Sequence, residues 1–246
     1  MLRNIFNGLT DLIYPKTCLA CKKKFTTGNN PGKALDNFIC GPCRKNILVN
    51  LPPFCSSCGR QLDKKNYSKN TCGQCQRKIF HFDRAFSPCS YTGTIKELIH
   101  EFKYRNKDHL ADGLGKLMTN FIKEYNLPIS YIDFIIPVPL YETKLREREF
   151  NQAHLLAKII ADEFNKDILT DVILRSRNTG TQTELDHNQR FNNVKGCFTF
   201  TNKRDIRGKN ILLIDDVLTS GATASEASRP LKESGANVIF AITLAN

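Results

Sequence analysis

Four CxxC pairs stand in the first third of this chain, at Cys18/Cys21, Cys40/Cys43, Cys55/Cys58 and Cys72/Cys75. Each pair sets two thiolates on one tight knuckle, and two knuckles complete the tetrahedron that Zn2+ prefers. Within successive couples the knuckles are 18 and 13 residues apart. Two structural Zn2+ ions are therefore expected, with an iron–sulfur cluster as the alternative. A four-cysteine site keeps no open position for substrate, so these metals should fold the region rather than catalyse. Disulfides would require an oxidising compartment, which no targeting signal suggests. Pairing the first knuckle with the second and the third with the fourth is simplest, while a cross-braced pattern stays open. Gly41, Gly59 and Gly73 each follow a ligand cysteine, where they would let backbone N–H groups approach the sulfurs. Cys89 and Cys197 lie in apolar or mixed segments and read as buried core thiols.

The charge is concentrated in the same region. Residues 1–80 hold 14 Lys and Arg against 3 Asp and Glu, whereas residues 81–246 hold 22 against 21. Two filled four-cysteine sites, each carrying about −2, still leave the head with an excess of about +7. Such a field points to an anionic partner, most simply nucleic acid, although a solubilising surface would look the same. Lys22, Lys23 and Lys24, with Lys64 and Lys65, lie between knuckles and are the phosphate-contact candidates. Phe102-Lys103-Tyr104-Arg105 interleaves rings and cations as a clamp for single-stranded DNA would. Phe102 also belongs to an apolar helix face, which favours an ordinary helix end with Lys103 in solvent. No run of about 18 apolar residues occurs, so no membrane span is expected. The start, MLRNIFNGLTDLIYP, has the spacing of a short amphipathic helix without a signal peptide's continuous apolar region. A cytoplasmic protein is expected.

The chain divides into a zinc-binding head, residues 1–80, and an α/β domain, residues 81–246. In the second part helical spacing (Thr94–Tyr104, Leu110–Glu124, Ala153–Phe164) alternates with strand-like segments (133–140, 194–200, 211–217 and 237–245). Such alternation predicts a largely parallel sheet. Residues 141–149 read as a charged loop, and 178–193 as a long mobile loop without periodicity. Pro230 falls inside the helix expected over 222–234, where it removes the bond to the Glu226 carbonyl and predicts a kink or early end.

The chemistry concentrates in ILLIDDVLTSGAT, residues 211–223. In an open parallel sheet, ligands bind outside the carboxyl ends of the strands, and Asp215 and Asp216 occupy such an end. The turn Thr219, Ser220, Gly221, Ala222, Thr223 then opens a helix whose first amides point back to the same place, forming a phosphate cradle. Carboxylates below and phosphate donors above suit a ligand with hydroxyls or Mg2+ at one end and phosphate at the other, as in a sugar phosphate. A nucleoside triphosphate fits less well, because GxxxxGK[ST] is absent and GLGKLMT at 113–119 has the wrong spacing.

The run of apolar residues, Asp-Asp and TSGAT resembles the phosphoribosyl pyrophosphate (PRPP) motif of type I phosphoribosyltransferases. With PVPL, LREREFNQA, the Gln182…Arg190…Asn193-Val194 stretch and the cysteine-rich head in this order, the layout resembles the ComF family of competence-associated proteins. That resemblance implies a phosphoribosyltransferase-like sheet domain behind a double zinc ribbon. It implies that Asp215 and Asp216 contact the ribose hydroxyls, that Thr219–Thr223 hold the 5′-phosphate and that Mg2+ comes with PRPP. Lys144, Arg146 and Arg148 would then face the pyrophosphate. Single-stranded DNA and the DNA-uptake machinery are the implied partners. Two further readings stand beside that one: an active phosphoribosyltransferase of unknown acceptor, and a PRPP-sensing regulator. The family usually shows Arg-Gly-Phe-Asn-Gln where this chain has Arg148-Glu149-Phe150-Asn151-Gln152. Glu142, Glu147 and Glu149 formally cancel the three loop cations.

Overall fold

The computed structural model describes residues 16–25, 35–63, 69–76, 78–103, 107–179 and 187–246. The N-terminal amphipathic segment, Lys64–Lys65, Tyr104–Arg105 and Gln182 lie outside the described residues. A one-turn helix, α1 (Gly41–Lys45), belongs to the head. The α/β part runs β1 (Arg84–Phe86), α2 (Gly93–Phe102), α3 (Leu110–Glu124), β2 (Phe134–Pro137), α4 (Glu142–Arg148) and α5 (Gln152–Phe164). It continues through β3 (Asp167–Ile168), β4 (Ile173–Arg175), α6 (His187–Val194), β5 (Phe198–Phe200), β6 (Ile211–Val217), α7 (Ala222–Glu233) and β7 (Ile239–Ala245).

Five parallel strands form the central sheet in the order β1-β7-β6-β2-β3, and β4 pairs antiparallel with β5 in a separate ribbon. β6 is central because its first four residues are buried, as a strand covered on both faces must be. Alternate residues of β6 feed two cores. Leu212 and Ile214 join Ile95, Leu98, Ile99 and Phe102 of α2, with α3 and α5, on one face. Ile211 and Leu213 join Ala224, Ala227 and Leu231 of α7, with Ile173 and Phe198, on the other.

The zinc-binding head is not a separate body. Cys18, Leu35 and Ile39 enter the core under α2 and α3. Cys55, Cys58, Cys72 and Cys75 enter the core under α7. Asn50 bridges the parts, donating to the Ser87 carbonyl at 2.9 Å and to Asn246 Oδ1 at 3.0 Å. Asn246 in turn donates to the Cys58 carbonyl at 2.9 Å.

Three expectations change. Residues 142–148 form α4 rather than a loop, because the chain closes a turn of i, i+3 and i, i+4 ion pairs there. α4 stops at Glu149, whose φ of 69° is left-handed. This is the position where the family the chain resembles usually carries glycine, the residue that adopts that conformation without strain. Residues 187–194 are helical despite weak periodicity. Arg177 supports that helix by donating Nη2 to the Asn193 and Lys195 carbonyls at its C-terminal end, at 3.2 and 2.8 Å. Finally, α7 runs through Pro230 to Glu233 and does not end early. The proline is buried within α7, and packing compensates for the missing amide.

Candidate functional site

The eight knuckle cysteines gather as two groups, Cys18–Cys21–Cys40–Cys43 and Cys55–Cys58–Cys72–Cys75, with the sulfurs of each group within 4.8 Å of one another. Pairing is therefore sequential rather than cross-braced. Cys21 and Cys40 place their Sγ atoms 3.7 Å apart, as do Cys58 and Cys72. Zn–S bonds of about 2.3 Å in a tetrahedron require an edge of roughly 3.8 Å, so both sets fit Zn2+. Backbone N–H groups do reach the sulfurs: Cys40 donates to Cys18 Sγ at 3.4 Å and Cys72 to Cys55 Sγ at 3.3 Å. The glycines work differently from the expectation. Of the three, Gly59 has a positive φ of 69°, and a Cβ there would lie 2.5 Å from the Ala85 carbonyl oxygen. Gly41 and Gly73 face open space. Gly59 thus serves the seating of the second ribbon on β1. Cys89 and Cys197 are fully buried, and burial pushes the Cys89 thiol up to about 12.

The second feature lies at the carboxyl end of β6. Strand alternation sends consecutive side chains to opposite faces, so Asp215 follows Leu213 towards α7 while Asp216 follows Ile214 towards α2. Asp215 Oδ1 accepts the Asp216 N–H at 2.8 Å. Burial, with the charge of Asp216 adding to it, pushes the Asp215 carboxyl up to about 7. Two cations from distant elements answer these acids. Lys103, just past the end of α2, places Nζ 3.0 Å from Asp216 Oδ2, and Asp216 holds the ammonium above its ordinary value against the opposing effect of burial. Arg175, at the end of β4, interacts electrostatically with Asp215 while burial pulls its guanidinium below the ordinary value. Its Nη2 donates to Thr179 Oγ1 at 2.6 Å, and its Nε is buried without a hydrogen-bond partner.

Lys103 is thus no solvent-exposed helix end, and Arg175 carries no local signal in the sequence. Both are brought in by the sheet, through α2 on one face and the β4–β5 ribbon on the other.

After β6 the chain turns through Thr219 and buried Ser220 to Gly221, which begins α7 at a φ of 81°. Ser220 Oγ accepts the Ala222 N–H at 3.3 Å, and the Ala222 side chain is buried, so this residue can offer a ligand only backbone. Thr223 lies in the first turn. The hydroxyls and amides of residues 219–223 therefore surround one helix N-terminus at the end of the strand that carries the acids.

The segment after β2 is only partly what the sequence suggested. Lys144 pairs with Glu147 at 2.9 Å and Arg146 with Glu142 at 3.8 Å, all on α4. Arg148 is the exception, being close enough to Lys103 and Arg175 to influence both electrostatically. Its Nη1 donates to Gln152 Oε1 at 2.9 Å, and Gln152 Nε2 donates to the Phe102 carbonyl at 3.2 Å, next to Lys103. Asn151 caps α5 by accepting the Ala153 N–H at 3.0 Å and donates to the Val138 carbonyl at 3.0 Å. The Phe-Asn-Gln stretch thereby locks α5 to the ends of β2 and α2, beside the acids.

A parallel sheet with acids and a small-residue turn at the end of its central strand, joined to two four-cysteine knuckle sets, defines a type I phosphoribosyltransferase fold with a double zinc ribbon. Family profiles agree: one described as "Double zinc ribbon domain" matches residues 9–76, and one described as "Phosphoribosyl transferase domain" matches residues 151–246. The chain is 29% identical over 206 residues to Competence protein F of Haemophilus influenzae, covering 82% of this chain and 88% of that one. It is 27% identical over 235 residues to Competence protein ComFC of Bacillus subtilis, covering 91% of each. With DNA utilization protein YhgH of Escherichia coli it shares 26% over 214 residues, covering 82% and 93%. Among solved structures, adenine phosphoribosyltransferase of Leishmania donovani matches at a TM-score of 0.35 and 14% identity, over 65% of this chain and 71% of that one. In both its double zinc ribbon and its phosphoribosyltransferase domain, the chain is similar to these competence and DNA-utilization proteins.

Proposed function

We propose that this protein binds PRPP at the end of β6, binds single-stranded DNA on its basic head, and acts in DNA uptake during natural transformation. One observation carries the ligand reading: two carboxylates at the end of the central strand run directly into a turn that opens a helix N-terminus. Asp215 and Asp216 would accept the ribose hydroxyls, and residues Thr219, Ser220, Gly221, Ala222 and Thr223 would donate to the 5′-phosphate. Lys103, Arg148 and Arg175 would balance the acids and face the anionic end. Mg2+ would enter with the substrate and neutralise its pyrophosphate. The DNA reading is supported by the charge of residues 1–80 and by the relatives, whose names refer to competence and DNA utilization. Lys22 pairs with Glu101 of α2, which shifts the expected phosphate contacts towards Lys23 and Lys24. Among the described residues no helix is long and apolar enough to cross a membrane. A cytoplasmic location and contact with the DNA-uptake machinery belong to this proposal.

Binding without rapid turnover is the favoured form, because Lys144 and Arg146 are paired with acids on their own helix. Titration of Mg-PRPP against wild type and Asp215→Asn/Asp216→Asn, with and without single-stranded DNA, tests the proposal. Binding by wild type that falls at least about tenfold in the double variant is expected, equivalent to about 1.4 kcal/mol. No binding by wild type sinks it, together with the enzyme and sensor readings. Pyrophosphate release with an acceptor base would instead favour an active phosphoribosyltransferase.

A further inference from the structure

We infer that Phe80, in the segment joining the second zinc ribbon to the sheet, is a positioning residue for the phosphate-binding turn, so that the ribbon helps set affinity for a phosphorylated sugar. This rests on the sugar-phosphate reading of residues 219–223.

The turn consists of small residues and cannot hold its own shape through side-chain packing. At Gly221 a Cβ would lie 2.6 Å from Phe80 Cε1, closer than any side chain permits. The ring therefore lies against the backbone of the residue that begins α7. Gly221 answers two demands, a φ of 81° and a surface flat enough for the ring. Phe80 is itself fixed. It stacks on Phe82 with ring centroids 4.7 Å apart and planes 15° apart, and Phe82 is buried in the core that holds Cys58, Cys72 and Cys75. The next residue, His81, donates its N–H to Ser225 Oγ at 3.0 Å, in the first turn of α7. On the ribbon side, the Lys78 N–H donates to the Cys75 carbonyl at 3.1 Å. Phe191 of α6 closes the cluster, with Phe80 6.3 Å away and Lys78 Nζ 5.4 Å above its ring.

A continuous path thus runs from a zinc ligand through Lys78 and Phe80 to the backbone that would hold phosphate. Backbone donors bind an anion well only when held within a fraction of an ångström of the right geometry, and a ring behind the turn supplies that restraint. The ring makes no ligand contact and acts only through Gly221.

The experiment is calorimetric titration of ribose 5-phosphate against full-length, zinc-loaded wild type, Phe80→Ala and Phe80→Leu, well below their melting temperatures. Phe80→Ala should bind roughly tenfold more weakly, with Phe80→Leu recovering most of the loss because it restores apolar bulk behind the turn. Unchanged affinity in Phe80→Ala overturns the inference, as does a loss that leucine fails to relieve. If Phe80→Ala does not fold, Phe80→Val takes its place, and binding weaker than that of Phe80→Leu supports the inference while wild-type affinity in Phe80→Val overturns it. No binding by wild type itself would instead remove the sugar-phosphate reading.

Discussion

The first zinc ribbon leaves Cys21 exposed and Cys40 and Cys43 half-buried, whereas all four cysteines of the second are buried. They also lie against different cores. Cys18 of the first meets the face under α2 and α3, and the second meets the face under α7, next to the turn at Gly221. The two share ligand chemistry but differ in what depends on them. A metal knuckle folds its own few residues wherever it sits; burial makes a neighbouring structure rely on it. The first ribbon keeps an exposed edge that can present Lys23 and Lys24 to a partner, while the second supports the candidate ligand site from behind.

The strongest way to break this contrast is to remove one ligand from each ribbon. Structural zinc contributes on the order of 10 kcal/mol, comparable with the whole stability of a domain. Cys58→Ser should lose the cooperative melting transition, whereas Cys21→Ser should lose one zinc equivalent and keep the transition of the sheet. Zinc content and thermal denaturation measured together check this, and equal damage from both variants would show that burial makes no difference.

A smaller effect comes from the glycines. Gly59→Ala forces a side chain into a left-handed turn and against the Ala85 carbonyl, and should cost about 2–4 kcal/mol. Gly41→Ala, at the start of α1 and in open space, should stay within about 0.5 kcal/mol of wild type. Chemical denaturation of both variants measures the gap, and a costly Gly41→Ala would contradict the peripheral role of the first ribbon.

The smallest effect probes how dry the strand end is on the face shared with the second ribbon. Asp215 is pushed from 3.8 up to about 7, chiefly by burial. For a carboxyl raised in this way, the stabilising contribution is complete below its ordinary value and is lost as pH rises through about 7. Asp215→Asn has no such proton to lose. Its advantage over wild type should therefore grow between pH 6 and pH 8, by about 1–2 kcal/mol. A gap that does not change with pH would mean that water reaches this carboxyl freely.

Much of this molecule is written in local spacing. CxxC knuckles declare zinc because both thiolates of a pair come from one turn, and ILLIDD followed by TSGAT declares a strand end with an anion-binding turn within 13 residues. The pairing of Lys103 and Arg175 with the acids is invisible at that level for the opposite reason. Each reaches the acids only because a crossover helix or the β4–β5 ribbon folds over the sheet, and no sequence neighbour of either hints at that contact. The same holds for α6, stabilised by Arg177 and by contacts of Phe191, and for Pro230, tolerated because α7 is packed against the sheet. Glu149 stands out in the sequence as a departure from the family pattern, but its left-handed φ, the reason glycine suits that place, is a property of the fold.

The sequence by itself therefore determined the metal chemistry, the parallel α/β class and the strand whose end carries Asp215 and Asp216. It did so because ligand spacing and strand alternation are short-range rules. Only the tertiary structure decided that the two acids face opposite sides with different cations, that Lys144 and Arg146 are held by Glu147 and Glu142, and that one ribbon is presented while the other is buried. Those outcomes depend on which faces pack together, and packing is fixed by contacts between residues far apart in the chain.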